Sequence, residues 1–225
     1  MIFNDRIDAG QQLAANLKYL RGQDIVVLGL PRGGIPVAYE IAKELNAPMD
    51  VIVVRKLGLP SQPELAMGAV SEDGVVVTND EVIRLTRIGH DEFAAVEARE
   101  RAEVERRAKR FRGDRPAISL KGRVALLVDD GIATGSTAQA ACRVARAHGA
   151  KRVLLAVPVG PADTIELLKK DADEVICLYT PKFFSAVGEW YQNFSATSDD
   201  EVAKILTLAR ETIPVNQSVK TRFPS

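Results

Sequence analysis

Two adjacent carboxylates at the end of an apolar run are the first feature of this sequence with chemistry in it. The run Val124–Val128 delivers Asp129 and Asp130, and the next seven residues are Gly131, Ile132, Ala133, Thr134, Gly135, Ser136 and Thr137. Glycines let backbone N–H groups turn inward, the hydroxyls add donors, and a helix opening near Ser136 presents its positive end. Together these suit a phosphate. Two acids beside such a cradle would repel an anion unless they accept hydrogen bonds from vicinal hydroxyls or help to hold a divalent cation. The spacing is not that of a Walker A loop, since no lysine follows Gly135, and the G-x-G-x-x-G dinucleotide fingerprint is absent.

A second glycine loop stands earlier in the chain. Gly29 and Leu30 lead into Pro31, Arg32, Gly33 and Gly34, with Pro36 at the start of the next helical pattern. The paired glycines allow a ligand close to the backbone, and Arg32 offers a charged fork to an anion. A further pair of cations, Arg55 and Lys56, is expected at the end of the second core strand.

Acid pair, threonine-glycine loop and early glycine loop together resemble the type I phosphoribosyltransferases. The resemblance implies a substrate, phosphoribosyl pyrophosphate, a small nitrogenous acceptor, and Mg²⁺ as cofactor. It assigns residues 131–137 to the 5-phosphate, and Pro31, Arg32, Gly33, Gly34, Arg55 and Lys56 to pyrophosphate. Asp129 and Asp130 are assigned to the ribose hydroxyls, with any metal contact made through water or those hydroxyls. Asp129, Asp130, Arg32 and Lys56 make up the expected catalytic set. A cis peptide at Pro31–Arg32 and a homodimer are also implied. Two further segments, Pro63–Ala69 and Phe184–Tyr191, resemble one branch of the family that carries no established substrate. Ala133 stands where the 6-oxopurine branch has an acid, so hypoxanthine and guanine are expected to be poor acceptors.

The elements that must position these residues follow from the apolar pattern. Nearly all-apolar runs at 24–30, 50–55, 123–128, 151–157 and 174–178 read as strands buried on both faces of a parallel sheet. Helical patterns at 35–45, 136–148 and 162–169 alternate with them, which predicts an α/β fold with right-handed crossovers. A first helix is expected from an N-cap at Asp8 through Leu13, Leu17 and Leu20 to Gly22. The excursion 57–120 corresponds to the mobile flap of the resembled family. It holds a hairpin (66–70 and 75–78), a helix capped by Asn79 or Asp80, and a charged helix at 91–112 with a narrow stripe of Phe93, Val96, Val104, Ala108 and Phe111. That helix reads as solvated, docked by one edge. Aromatic residues Phe183, Phe184, Trp190, Tyr191 and Phe194 concentrate late in the chain. They read either as a satellite core packing a helix at 198–210, or as a hood, about 179–212, in which Phe184, Trp190 and Tyr191 stack on the acceptor. One domain, 1–212, with a loose tail at 213–225, is expected.

Thirty basic and thirty acidic residues cancel, which argues against a dedicated nucleic-acid binder. Cys142 and Cys177 are too few for a disulfide framework or a thiolate zinc site and fit a reducing cytoplasm; no leader and no membrane span is expected. His90 and His148 receive no role. The main rival is a non-catalytic regulator that binds the same sugar pyrophosphate or a nucleotide. A phosphosugar hydrolase or kinase lacks a candidate nucleophile or a P-loop lysine.

Overall fold

The computed structural model describes residues 3–213, so residues 214–225 of the expected tail lie outside the described residues. Five parallel strands form the central sheet: β1 (Ile25–Gly29), β2 (Met49–Val51), β6 (Val124–Val128), β7 (Arg152–Val159) and β8 (Glu174–Tyr179), in the order β2-β1-β6-β7-β8. Alternate residues of the inner strands face opposite ways, and both sets are apolar. Ile25, Val27, Leu126 and Val128 join a core with helices α1 (Arg6–Asn16), α2 (Gly34–Leu45) and α7 (Asp199–Thr212). Val26, Leu28, Ala125 and Leu127 join a second core with α5 (Ser136–Ala147) and α6 (Ala162–Leu168). Covering both faces is what requires uninterrupted apolar strands. Leu126 and Leu127 are fully buried, and truncation of either to Ala would cost about 2–5 kcal/mol.

The excursion builds a separate antiparallel sheet, β3 (Val54–Gly58), β4 (Ala66–Ser71) and β5 (Val76–Thr78), followed by α3 (Asp80–Thr86) and the 23-residue α4 (His90–Arg112). The expected strand at 50–55 is therefore two strands. Pairing within the core sheet ends at Val51, and Val54 already pairs with Ser71 in the second, antiparallel sheet. No turn residue marks the break: Ile52 and Val53 stay buried, Ile52 N donates to the Gly29 carbonyl at 3.1 Å, and the Val51 carbonyl accepts from Arg112.

A buried ionic knot holds the base of the excursion. Asp50, 1% exposed, accepts from its own neighbour Val51 N, from Arg112 Nε at 3.0 Å and from Ile118 N at 3.0 Å, with Arg210 of α7 at 3.6 Å. Arg112 also donates to Glu72 at the hairpin turn. Sheet edge, hairpin, α4 and α7 are thus joined through two side chains. At the hairpin tip, Asp73 lies 3.0 Å from His148 Nε2, which gives a position to a histidine without an expected role.

Two other expectations need correction. The first helix is capped by Asp5, whose side chain accepts from Asp8 N, while Asp8 sits inside the first turn and accepts from Asn4 N. The aromatic cluster packs against the N-terminal segment, not the C-terminal helix. Phe3 N donates to the Trp190 carbonyl and Gln192 N to the Phe3 carbonyl, while α7 places Val202, Leu206 and Ala209 in the main core.

Candidate active site

Strands β1 and β6 are neighbours, and the chain leaves β1 toward β2 on one side and enters β6 on the other. Their carboxyl ends form the topological switch point where open α/β sheets place ligands. Both glycine loops start there. The first runs from Leu30 through a cis Pro31–Arg32 peptide into α2; the second runs from Asp129 into α5. Leu30 N donates to the Val128 carbonyl at 2.8 Å, which ties the two loops at their roots.

The glycines are demanded by that closeness. A β-carbon on Gly33 would overlap the Asp130 carboxylate, and one on Gly34 would overlap the Val128 carbonyl. The Gly34 N–H, expected to be open to a ligand, is taken by the Leu30 carbonyl at 3.0 Å. Among the described residues, the Arg32 and Gly33 N–H groups have no acceptor and remain open.

In the second loop, Ile132 N donates to the Val159 carbonyl at 2.9 Å and its side chain is buried, so this residue anchors the loop. Thr164 Oγ1 donates to the Ala133 carbonyl at 3.1 Å and fixes the loop's far side. Gly135 adopts φ +75°, the left-handed turn that starts α5, and a β-carbon there would crowd Thr164. The N–H groups of Ala133, Thr134 and Gly135 have no acceptor among the described residues, and the first turn of α5 leaves more of them open. Thr134 and Ser136 hydroxyls meet at 3.0 Å beside Thr137.

The acid pair is held from the opposite side. Arg6, at the start of α1, donates from Nε to Asp130 Oδ2 at 2.7 Å and from Nη1 to the Ser195 carbonyl, with its guanidinium 4.0 Å from the Phe194 ring centre. Asp129 Oδ1 accepts from Asp130 N at 2.9 Å. Burial and the adjacent Asp130 charge push the Asp129 carboxyl well above its ordinary value. Tyr191 Oη donates to the Asp130 carbonyl at 2.5 Å, and its ring is packed against Phe3 and Phe194. Tyr191 is buried, and its packing fits the satellite-core alternative for this residue. Trp190 lies edge-on to Tyr179 and stacks with Phe184 at 6.5 Å, and its Nε1 is buried without a partner among the described residues.

A cleft of about 580 Å³ opens beside the loops. It brings together Pro31, Arg55, Lys56, Thr134, Ser136 and Thr137, and adds Arg99, Glu100 and Arg107 from α4. Arg55 and Lys56 lie on β3 of the antiparallel sheet, not at the end of a core strand, so that second sheet carries these cations to the cleft. Arg32 is not brought to them; its guanidinium lies 3.7 Å from Asp199 of α7. Asp129 and Asp130 stand next to the cleft, against Gly33 and Gly34, and do not line it.

Sequence reasoning missed Arg6, Arg99, Glu100 and Arg107. For Glu100 a signal existed: Val96, Val104 and Ala108 recur at multiples of four, and Glu100 fills the missing place in that stripe. Arg6 precedes the periodic part of its helix and gave none.

A family model described as phosphoribosyl transferase domain matches residues 3–192. Two proteins of Mycobacterium tuberculosis, Rv0571c of strain H37Rv and MT0597 of strain CDC 1551, are each 59% identical over 208 residues, and their names assign them provisionally to the phosphoribosyl transferases. The match covers 92% of this chain and 47% of each relative, so the chain spans about half the length of the curated relatives it matches. The crystal structure of TT1426 from Thermus thermophilus is similar over 92% of this chain and 98% of its own, at 43% identity and a TM-score of 0.86.

Proposed function

This chain belongs to the phosphoribosyl transferase family, and on that premise we propose that it transfers the 5-phosphoribosyl group from phosphoribosyl pyrophosphate to a nitrogenous acceptor, releasing pyrophosphate. The observation that carries the proposal is the contact of Gly33 with Asp130. It brings two anion-suited backbone loops against one acid pair, as a sugar carrying phosphates at both ends would need.

In this reading the open N–H groups and hydroxyls of residues 133–137 hold the 5-phosphate, a remote handle that orients the reacting carbon. The Arg32 and Gly33 N–H groups, with Arg55 and Lys56, take the pyrophosphate and stabilise the charge that grows on it as the C1–O bond breaks. Asp129 and Asp130 accept from the ribose hydroxyls and steady the cationic sugar that develops. No protein nucleophile is needed, and the acceptor nitrogen forms the new bond to C1. Trp190 and Phe184 remain the hood rings proposed to meet the acceptor. The reading treats residues 1–212 as one catalytic unit in the cytoplasm with a flap that closes, and includes a homodimer, which sedimentation velocity tests.

Among the described residues no three of His, Cys, Asp or Glu converge into a group that could hold a metal ion. Asp129 and Asp130 suit an ion that arrives on substrate phosphates and keeps most of its water, the usual habit of Mg²⁺. Bound there, Mg²⁺ would supply charge neutralisation on the pyrophosphate. Among the described residues no helix is long and apolar enough to cross a membrane.

Thermal unfolding tests the binding. Phosphoribosyl pyrophosphate with Mg²⁺ at about 100 times its Kd should raise Tm by about 5–10 °C. Asp129→Asn with Asp130→Asn should remove most of that rise; an undiminished rise would overturn the ribose assignment. The pairing of Asp130 with Arg6 favours one alternative, a regulator that binds the same ligand without turnover, which pyrophosphate release distinguishes.

A further inference from the structure

Among the described residues, Glu100 is the single carboxylate in the wall of the cleft, whose other polar side chains are cations and hydroxyls. Its side chain is 10% exposed, in a stripe of α4 where an apolar residue is expected. A carboxylate in such a place costs free energy unless it is paired. Glu100 is paired twice: Oε2 accepts from Arg55 Nε at 2.7 Å and Oε1 from Arg99 Nε at 3.0 Å. Burial acts to raise its carboxyl, and the hydrogen bonds from the two arginines outweigh it, leaving the group below its ordinary value. Glu100 is therefore an anion, at a site argued above to receive anions.

The atom of Arg55 that is engaged resolves the contradiction. Only Nε is used, and among the described residues the two terminal nitrogens have no acceptor. An arginine tethered at Nε keeps its terminal fork for bidentate bonding to a phosphate. The tether also removes rotameric freedom from a long side chain before any ligand arrives, which lowers the ordering cost of binding. We propose that Glu100 is a positioning residue for Arg55, holding the guanidinium ready so that the flap grips the pyrophosphate end of the substrate. This rests on the functional reading above.

The test is a double-mutant cycle on inorganic pyrophosphate affinity, measured by calorimetry with Mg²⁺ on the whole chain. Arg55→Ala should weaken binding about 30-fold and Glu100→Ala about 10-fold, as expected for losing or loosening a charge-assisted bond. Glu100→Gln, which keeps shape and an acceptor oxygen, should weaken it about threefold and stands in if the alanine variant fails to fold. In the Arg55→Ala background either change at Glu100 should matter less than about twofold, because the residue through which it acts is gone. A purely structural role predicts equal losses in both backgrounds; equal losses, or no loss at all, would overturn the positioning role alone. Failure of the unaltered protein to bind pyrophosphate would overturn the functional reading and this inference with it.

Discussion

Gly33 and Asp130 stand so close that a β-carbon on the glycine would overlap the aspartate's carboxylate. The two anion-suited loops are thereby one unit, and the smallest side chain at Gly33 must displace an acid that Arg6 holds from the other side. Gly33→Ala should cost about 1–3 kcal/mol and lower Tm by roughly 3–10 °C. The rise in Tm given by phosphoribosyl pyrophosphate should fall to less than half. A variant that keeps the full ligand response in scanning fluorimetry would show that the loops do not act together.

Arg6 makes a second prediction possible. Its side chain and that of Asp130 are only 11% and 14% exposed. Removing the cation leaves a poorly solvated anion, whereas removing both charges does not. Arg6→Ala should destabilise by about 1–3 kcal/mol in urea unfolding, and clearly less in an Asp130→Asn background. Equal costs in the two backgrounds would mean that the pair carries no coupling.

Cys142 sets a pH dependence. Burial pushes its thiol up to about 12, so between the unfolded value near 8.5 and that point the unfolded state releases a proton that the folded state keeps. Stability is full below about pH 8.5 and declines above it. From pH 8.5 to 10 the loss from this thiol is about 2 kcal/mol, and Cys142→Ala should lack it. Identical slopes of unfolding free energy against pH in variant and parent would refute the assignment. Cys177, pushed up to about 11 by burial, should likewise react slowly with thiol reagents at pH 8.

Hypoxanthine and guanine should be poor acceptors. Ala133 carries no proton-transferring group, and Glu100, the one carboxylate lining the cleft among the described residues, is committed to Arg55 and Arg99. General acid–base help is worth about 10² to 10⁴ in rate, so kcat/KM for these bases should fall below about 10⁴ M⁻¹s⁻¹. Efficient nucleotide synthesis from either base would require proton chemistry by a residue outside this cleft.

The parts that local pattern encodes were readable in advance. Strands buried on both faces announce themselves as apolar runs, and the glycines at 33, 34 and 135 mark places where backbone comes close or turns left-handed. What escaped depends on contacts distant in sequence. Ile52 and Val53 look like the middle of one strand because nothing local shows that Val51 and Val54 pair with different partners. Arg6 acquires meaning only when it meets Asp130, 124 residues away. Tyr191 could be assigned neither to the satellite core nor to the hood, because its hydroxyl's acceptor, the Asp130 carbonyl, belongs to another loop. On α4, charges alternate so regularly that the inward-facing ones are hidden, except where Glu100 interrupts the apolar stripe.

Transfer chemistry is tested most directly by pyrophosphate release. The purified protein is given phosphoribosyl pyrophosphate, Mg²⁺ and, one at a time, a panel of nitrogenous bases and amines, and pyrophosphate is measured continuously. The account predicts release that depends on at least one acceptor and drops by a factor of about 10² or more in Asp129→Asn with Asp130→Asn. Tight binding of phosphoribosyl pyrophosphate with no acceptor-dependent release across the panel, or release that the double variant leaves intact, would contradict it.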